Sequence, residues 1–107
     1  MPQTPSIIGQ NFPDAGVDTT LLTVAYGQQA QFSIFVSNHN IEIDRITIAL
    51  IPEGAPETSA SYIAFNTPLL GNAVLAFSGL FMNSADRVQI LSENGTTSFV
   101  ATGVITS

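Results

Sequence analysis

Cysteine, tryptophan and lysine are missing from this chain of 107 residues. Without cysteine there are no disulfides and no thiolate metal ligands, so the fold must rest on apolar packing. Without lysine, and with two arginines against eight acids, the net charge is −6. So little positive charge leaves almost nothing to displace counterions from phosphates, which argues against nucleic acid and against an anionic membrane surface as partners. Charge of either sign is scarce: 9% of residues carry it, and none does between positions 58 and 85. That run does not read as a membrane span, because Asn66, Pro68, Gly71, Asn72 and Ser78 interrupt it. Its longest purely apolar stretch, 73–77, falls far short of the roughly 20 residues a spanning helix needs. The opening Met1-Pro2-Gln3-Thr4-Pro5 lacks the basic region and apolar core expected of an export signal.

What the chain has in quantity is apolar side chain, 45% of all residues. A chain of this size forms one domain and buries about two-thirds of its unfolded surface. A surface so poor in charge implies that part of it is covered by copies of the chain or by partners. No segment carries a helical period. Instead, runs of β-branched and apolar residues bounded by Gly, Pro, Asn or Asp recur at 6–9, 20–25, 31–38, 44–51, 61–66, 72–82, 86–92 and 97–106. In the third run Phe32, Ile34 and Val36 share one face and Ser33, Phe35 and Ser37 the other. In the fourth, Ile46, Ile48 and Leu50 are expected inward and Arg45 and Thr47 outward. The sixth sets Leu75, Phe77 and Phe81 against Val74, Ala76, Ser78 and Leu80, apolar on both faces as in a strand pressed against a neighbour. Pro68 and Gly71 are expected to stop the fifth run, and Asn94-Gly95 predicts a hairpin between the last two, since both residues accept positive φ cheaply. The expected fold is all-β, a single jelly-roll-like β-sandwich of about eight short antiparallel strands. Residues 1–18 read as an N-terminal arm with the first short strand, and 19–107 as the sandwich; the strand order stays open.

Catalysis near neutral pH has one histidine to draw on. His39 lies in a polar turn, Asn38-His39-Asn40, with no Gly-x-Ser-x-Gly elbow anywhere in the chain, so no enzyme is expected. His39, Glu42 and Asp44 are near enough in sequence to be weighed as metal ligands, but a lone histidine beside acids reads as a solvent-facing turn. Asp14 and Asp18 lack the closely spaced oxygens a hard cation needs. Glu42, Glu53, Glu57 and Glu93 offer carboxylate pairs for glycoside hydrolysis, yet read as loop and strand-end solubility. Asn94-Gly95-Thr96 matches the glycosylation pattern, but the turn already accounts for it. No catalytic, cofactor-binding or metal-binding residue is therefore expected.

The informative positions are apolar side chains on faces that the alternation assigns outward: Phe35, Ile51, Tyr62, Val74, Leu80 and Leu91. A sandwich buries one face of each sheet, so these are the candidate interface residues.

Several segments carry a resemblance. They are Ile8-Gly9-Gln10, Thr20-Leu21-Leu22-Thr23-Val24, Ser33-Ile34-Phe35-Val36-Ser37-Asn38 and Ile46-Thr47-Ile48-Ala49-Leu50. Tyr62-Ile63 ahead of Asn66-Thr67-Pro68-Leu69, then Asp86-Arg87-Val88-Gln89-Ile90 and Val100-Ala101-Thr102-Gly103 continue the series. Their order, over almost the whole chain, resembles small β-sandwich virion proteins of tailed bacteriophages: capsid cement or decoration proteins of cyanophages and related fibre domains. The chain departs from that pattern at Leu22, where a tyrosine is common, at Ala25, where a proline often follows, and at His39, where an arginine often follows the asparagine. The resemblance implies a homotrimeric knob on the capsid surface that clamps the major capsid protein or another virion protein, with no catalytic residues. The alternative is a receptor- or carbohydrate-binding module of a phage fibre or baseplate, for which only Tyr26 and Tyr62 are available as sugar platforms.

Overall fold

The computed structural model describes residues 6–106. Eight strands follow one another: β1 (Ser6–Asn11), β2 (Thr19–Thr23), β3 (Gln29–Asn38), β4 (Asp44–Ile51), β5 (Tyr62–Leu69), β6 (Val74–Met82), β7 (Arg87–Ser92) and β8 (Thr97–Thr106). A single 3₁₀ turn, Ser59–Ser61, precedes β5. All strand pairs are antiparallel and form two four-stranded sheets, sheet I in the order β1-β8-β3-β6 and sheet II in the order β2-β7-β4-β5. The chain crosses between sheets at almost every link, and only β4 and β5 are both consecutive and paired. This interleaving of two four-stranded sheets is the eight-stranded jelly roll. Of the expected N-terminal arm, residues 1–5 lie outside the described residues, while β1 is stitched to β8 along sheet I.

The sandwich is held by the inward faces of the two sheets. Ala30, Phe32, Ile34 and Val36 of β3 and Phe99 and Ala101 of β8 meet Ile46 and Ile48 of β4 and Val88 and Ile90 of β7. The chain exposes 5935 Å², close to the roughly 5,700 Å² expected of a folded monomer of this mass.

At one end of the sandwich the core turns polar. Asn38, Asp44, Ser92 and Thr97 are all buried there, and each is hydrogen-bonded. The Asn38 amide donates to the carbonyls of Glu42 (2.8 Å) and Leu69 (3.1 Å), while its oxygen accepts from the Thr96 hydroxyl (2.9 Å). A buried polar group without a partner costs more than a hydrogen bond gains, so these side chains take over the backbone groups freed where links cross between sheets.

Three local expectations are corrected. Asn94-Gly95 does not close a hairpin, because β7 and β8 belong to different sheets. Its amides are committed elsewhere: Asn94 N–H to Asp44 (2.9 Å) and Gly95 N–H to the Ser92 hydroxyl (3.1 Å), so the positive φ of Gly95 serves a corner between sheets. Pro68 does not stop β5, which runs through it to Leu69. β5 is an edge strand, where a missing N–H leaves no ladder bond unmade. Finally, the alternation of β6 slips at Ser78-Gly79, where the pairing with β3 shifts register between Phe32 and Ile34 and Gly79 has φ 73°. A bulge of one residue exchanges the faces beyond it. Leu80 therefore joins Leu75 and Phe77 against the core, and Phe81 faces out.

Candidate interaction surface

The strands of sheet I contain no charged residue. All eight acids and both arginines sit on sheet II or in the links between strands. The outer face of sheet I can be followed row by row from the pairing. Gln10, Val100, Phe35 and Ala76 line up across all four strands. Neighbouring rows are Ile7-Thr102-Ser33, Ser98-Ser37-Val74 and Val104-Gln31-Phe81. On this face Ile7 is 62% exposed, Phe35 44%, Val74 67% and Phe81 62%. Between them stand hydroxyls and amides, which lose little on dehydration if a partner offers hydrogen bonds. Four strands of up to ten residues give a face of roughly 19 by 33 Å, or about 600 Å² in projection. That approaches the roughly 800 Å² each partner buries in a standard interface. At its rim the one histidine is tied down, with His39 Nε2 2.8 Å from the Ser98 hydroxyl and its ring 5.2 Å from that of Phe12.

Sheet II presents a different outer surface. A concavity of about 240 Å³ is lined by Asp18, Thr47, Glu57, Tyr62, Phe65 and Gln89 among others. The Tyr62 and Phe65 rings lie 4.6 Å apart on one side of it. Tyr62 donates its hydroxyl to Glu57 (2.9 Å), and the Gln89 amide donates to Asp18 (3.3 Å) while accepting from Thr20. The Asp18 and Glu57 carboxyl groups both line this concavity. Burial first, and then the facing Glu57 carboxylate, push the Asp18 carboxyl above its ordinary range. The bond to Glu57 likewise raises the Tyr62 phenol.

The six residues singled out by the alternation fall into separate places. Phe35 and Val74 lie on the outer face of sheet I, on the adjacent strands β3 and β6, with Val74 two residues from Ala76, the partner of Phe35. Tyr62 and Leu91 line the concavity of sheet II. Leu80 faces the core, for the reason given by the bulge. Ile51 is on the outer side of sheet II as the alternation expects, outside the main core cluster, yet it is 1% exposed. The 52–61 link covers it: the 3₁₀ turn packs on β4, and Arg87, the cross-strand partner of Ile51, reaches the Ala55 carbonyl (3.3 Å). Sequence reasoning missed Phe81 and Ile7. The glycine inside the sixth run was the available sign of the bulge that turns Phe81 outward; for Ile7 no comparable sign exists, because its neighbours come from the far end of the chain.

His39, Glu42 and Asp44 do not converge. Asp44 is buried and turned to Ser92 and Thr97, while His39 bonds Ser98 at the rim. Among the described residues no three His, Cys, Asp or Glu side chains gather to hold a metal ion.

No protein-family model matches the chain, and no curated protein matches it. Solved structures do. The crystal structure of the T13 IBDV viral particle matches over 96% of this chain with a TM-score of 0.56 and 14% identity. The structure of infectious bursal disease virus Gx strain matches over 97% with a TM-score of 0.50 and 14% identity. The chain spans less than a third of the length of either, 30% and 31% respectively. At this identity the likeness is one of fold: the chain has the jelly roll of a domain found in these virus particles.

Proposed function

We propose that this chain is a structural virion protein. It docks on coat neighbours, its own copies included, through the uncharged outer face of sheet I. The observation that carries the reading is the segregation of charge, with all ten charged side chains kept off one sheet whose outer face exposes Ile7, Phe35, Val74 and Phe81. Burying that face desolvates no ion, and each large side chain covered contributes about 1.5–3 kcal/mol. The shared fold with virus-particle domains supports the role. The sequence resemblance supplies its finer form: a cement or decoration protein at the capsid surface, bound as a homo-oligomer to the major capsid protein or another virion protein. Contacts of moderate strength suffice there, because many copies on one lattice act together.

The test is fractionation of the source in which the chain is made. The protein is expected to sediment with virus-sized particles, and Phe35→Glu to leave it in the soluble fraction with an unchanged circular dichroism spectrum. Wild-type protein found only in the soluble fraction overturns the proposal.

A second reading, the receptor- or carbohydrate-binding module, is favoured by the sheet II concavity, whose 240 Å³ and paired Tyr62 and Phe65 rings suit one sugar ring. Titration with monosaccharides, followed by the ring resonances of both residues, decides it. Saturable shifts that disappear in Phe65→Ala support this reading, and no shift at about 50 mM sugar, well above the millimolar affinities of weak sites, removes it.

A further inference from the structure

We infer that β6 is a docking edge at which a second copy of the chain adds its own β6, antiparallel, across a twofold axis at Ala76. The inference deepens the self-association in the proposed role and rests on that reading.

Four strands end the two sheets: β1 and β6 in sheet I, β2 and β5 in sheet II. Three of them are blunted. β1 is bulged at Ile7/Gly9 and its Gly9 lies against the Leu21 carbonyl of β2, closing that side. β2 has five residues, a register shift of its own and Asp18 just ahead of it. β5 contains Pro68, two register shifts and Asn66 at φ 48°. These are the devices by which edges are kept from pairing with other chains. β6 has nine residues with no proline and no charge, and its pairing with β3 is regular from Val74 to Phe77.

The open backbone groups of β6 follow from its register. The Asn38 N–H donates to the Ala73 carbonyl (3.1 Å), which sets the phase of the β3–β6 ladder. Two residues on, Val36 faces Leu75, and two further, Ile34 faces Phe77. Hydrogen-bonded positions alternate along an antiparallel pair, so Leu75 and Phe77 point their amides into the sheet while Val74 and Ala76 point theirs out to the open edge.

Charge selects the partner. Each copy carries a net −6, and a twofold contact brings the same patch of both copies together. The run from 58 to 85, which builds β5 and β6, carries no charge and so meets itself without setting acid against acid. Centring the pair on Ala76 sets Val74 against Ser78, just short of the Gly79 bulge, and forms about four to six backbone hydrogen bonds. The uncharged face of sheet I then continues over eight strands. Such an edge buries less than the roughly 1,200 Å² of a standard interface, so the dimer is weak and depends on concentration.

Sedimentation equilibrium of the full chain over a concentration series, with Ala76→Pro and Phe35→Glu beside it, tests the inference. The wild type is expected to pass from monomer to dimer. Ala76→Pro, which removes an N–H the fold does not use, is expected to stay monomeric with an unchanged melting curve. Hydrogen exchange of the wild type gives a readout that needs no variant: the Ala76 amide is expected to slow at least about tenfold as the dimer fills. Ala76→Pro with the wild-type mass, or an Ala76 amide that exchanges at one rate at every concentration, overturns the inference. Loss of particle binding in Phe35→Glu with retention in Ala76→Pro leaves the coat role standing without this edge.

Discussion

The Asp44 carboxylate and the Ser92 hydroxyl meet at 2.5 Å with neither residue exposed. The same oxygen accepts from Thr97 of β8 at 2.5 Å, so one atom ties sheet II to sheet I. The other oxygen takes the N–H groups of Arg45 (2.8 Å) and Asn94 (2.9 Å).

Replacing this carboxylate with an amide puts a donor where four donors already converge. Asp44→Asn is expected to cost about 3 kcal/mol, a large share of the roughly 5–15 kcal/mol that holds a domain folded. Urea titration of the two proteins at neutral pH measures it; equal midpoints would show that the knot does not hold the sheets.

The same residue sets the behaviour in acid. Burial by itself would raise the Asp44 carboxyl, but the bonds from Ser92, Thr97, Asn94 and Arg45 outweigh it and hold the group below its usual value. A depressed carboxyl contributes stability above its unfolded value, near about pH 4, and loses it as the pH falls through the lower folded value. Unfolding free energy measured from pH 7 down to pH 2 should therefore drop below about pH 4 in the wild type. The drop should be shallower in Asp44→Asn.

Asp18 works in the opposite sense. Its carboxyl is raised, by burial and then by Glu57, so its contribution is complete below the unfolded value and is lost as the pH rises through the folded one. At neutral pH the pair works against the fold. Glu57→Gln is expected to raise the urea midpoint at pH 7 by the equivalent of about 0.5 kcal/mol, a small gain because both groups are screened by solvent, and to change nothing near pH 3.

Two glycines separate crowding from backbone strain. A Cβ on Gly103 would lie 2.1 Å from the Gln31 carbonyl oxygen and 2.6 Å from Phe32 Cα, both backbone atoms of the neighbouring strand. Gly103→Ala is expected to cost about 3 kcal/mol. Gly27 has φ 81° and open space around it, so Gly27→Ala is expected to cost only about 1 kcal/mol, that of a left-handed alanine. Thermal melts of the two variants should rank accordingly.

All eight strands were legible in the sequence because period-two alternation and turn residues are local signals. Phe32, Ile34 and Val36 show it plainly: their partners differ along the strand, yet each needs the same burial. The arrangement of the strands was not legible. Ser6 lies beside Gly103, and Thr19 beside Ile90, and nothing near either residue names its partner. Faces were misread where the strand itself is irregular, as at Leu80 beyond the bulge, or where a link folds back, as over Ile51. The lack of charge from 58 to 85 was visible from the start, but its meaning as one flank of the sandwich needed the positions of β5 and β6.

The place of β8 has a consequence in time. It stands between β1 and β3, so neither can complete its pairing in sheet I until the final strand of the jelly roll has left the ribosome. Apart from β4 with β5, every pairing closes over a long stretch of chain, which places folding in the slow range of milliseconds to seconds. During that interval the uncharged β6 waits beside an unfinished sheet, and crowded synthesis is where chains of this kind meet the wrong partner first.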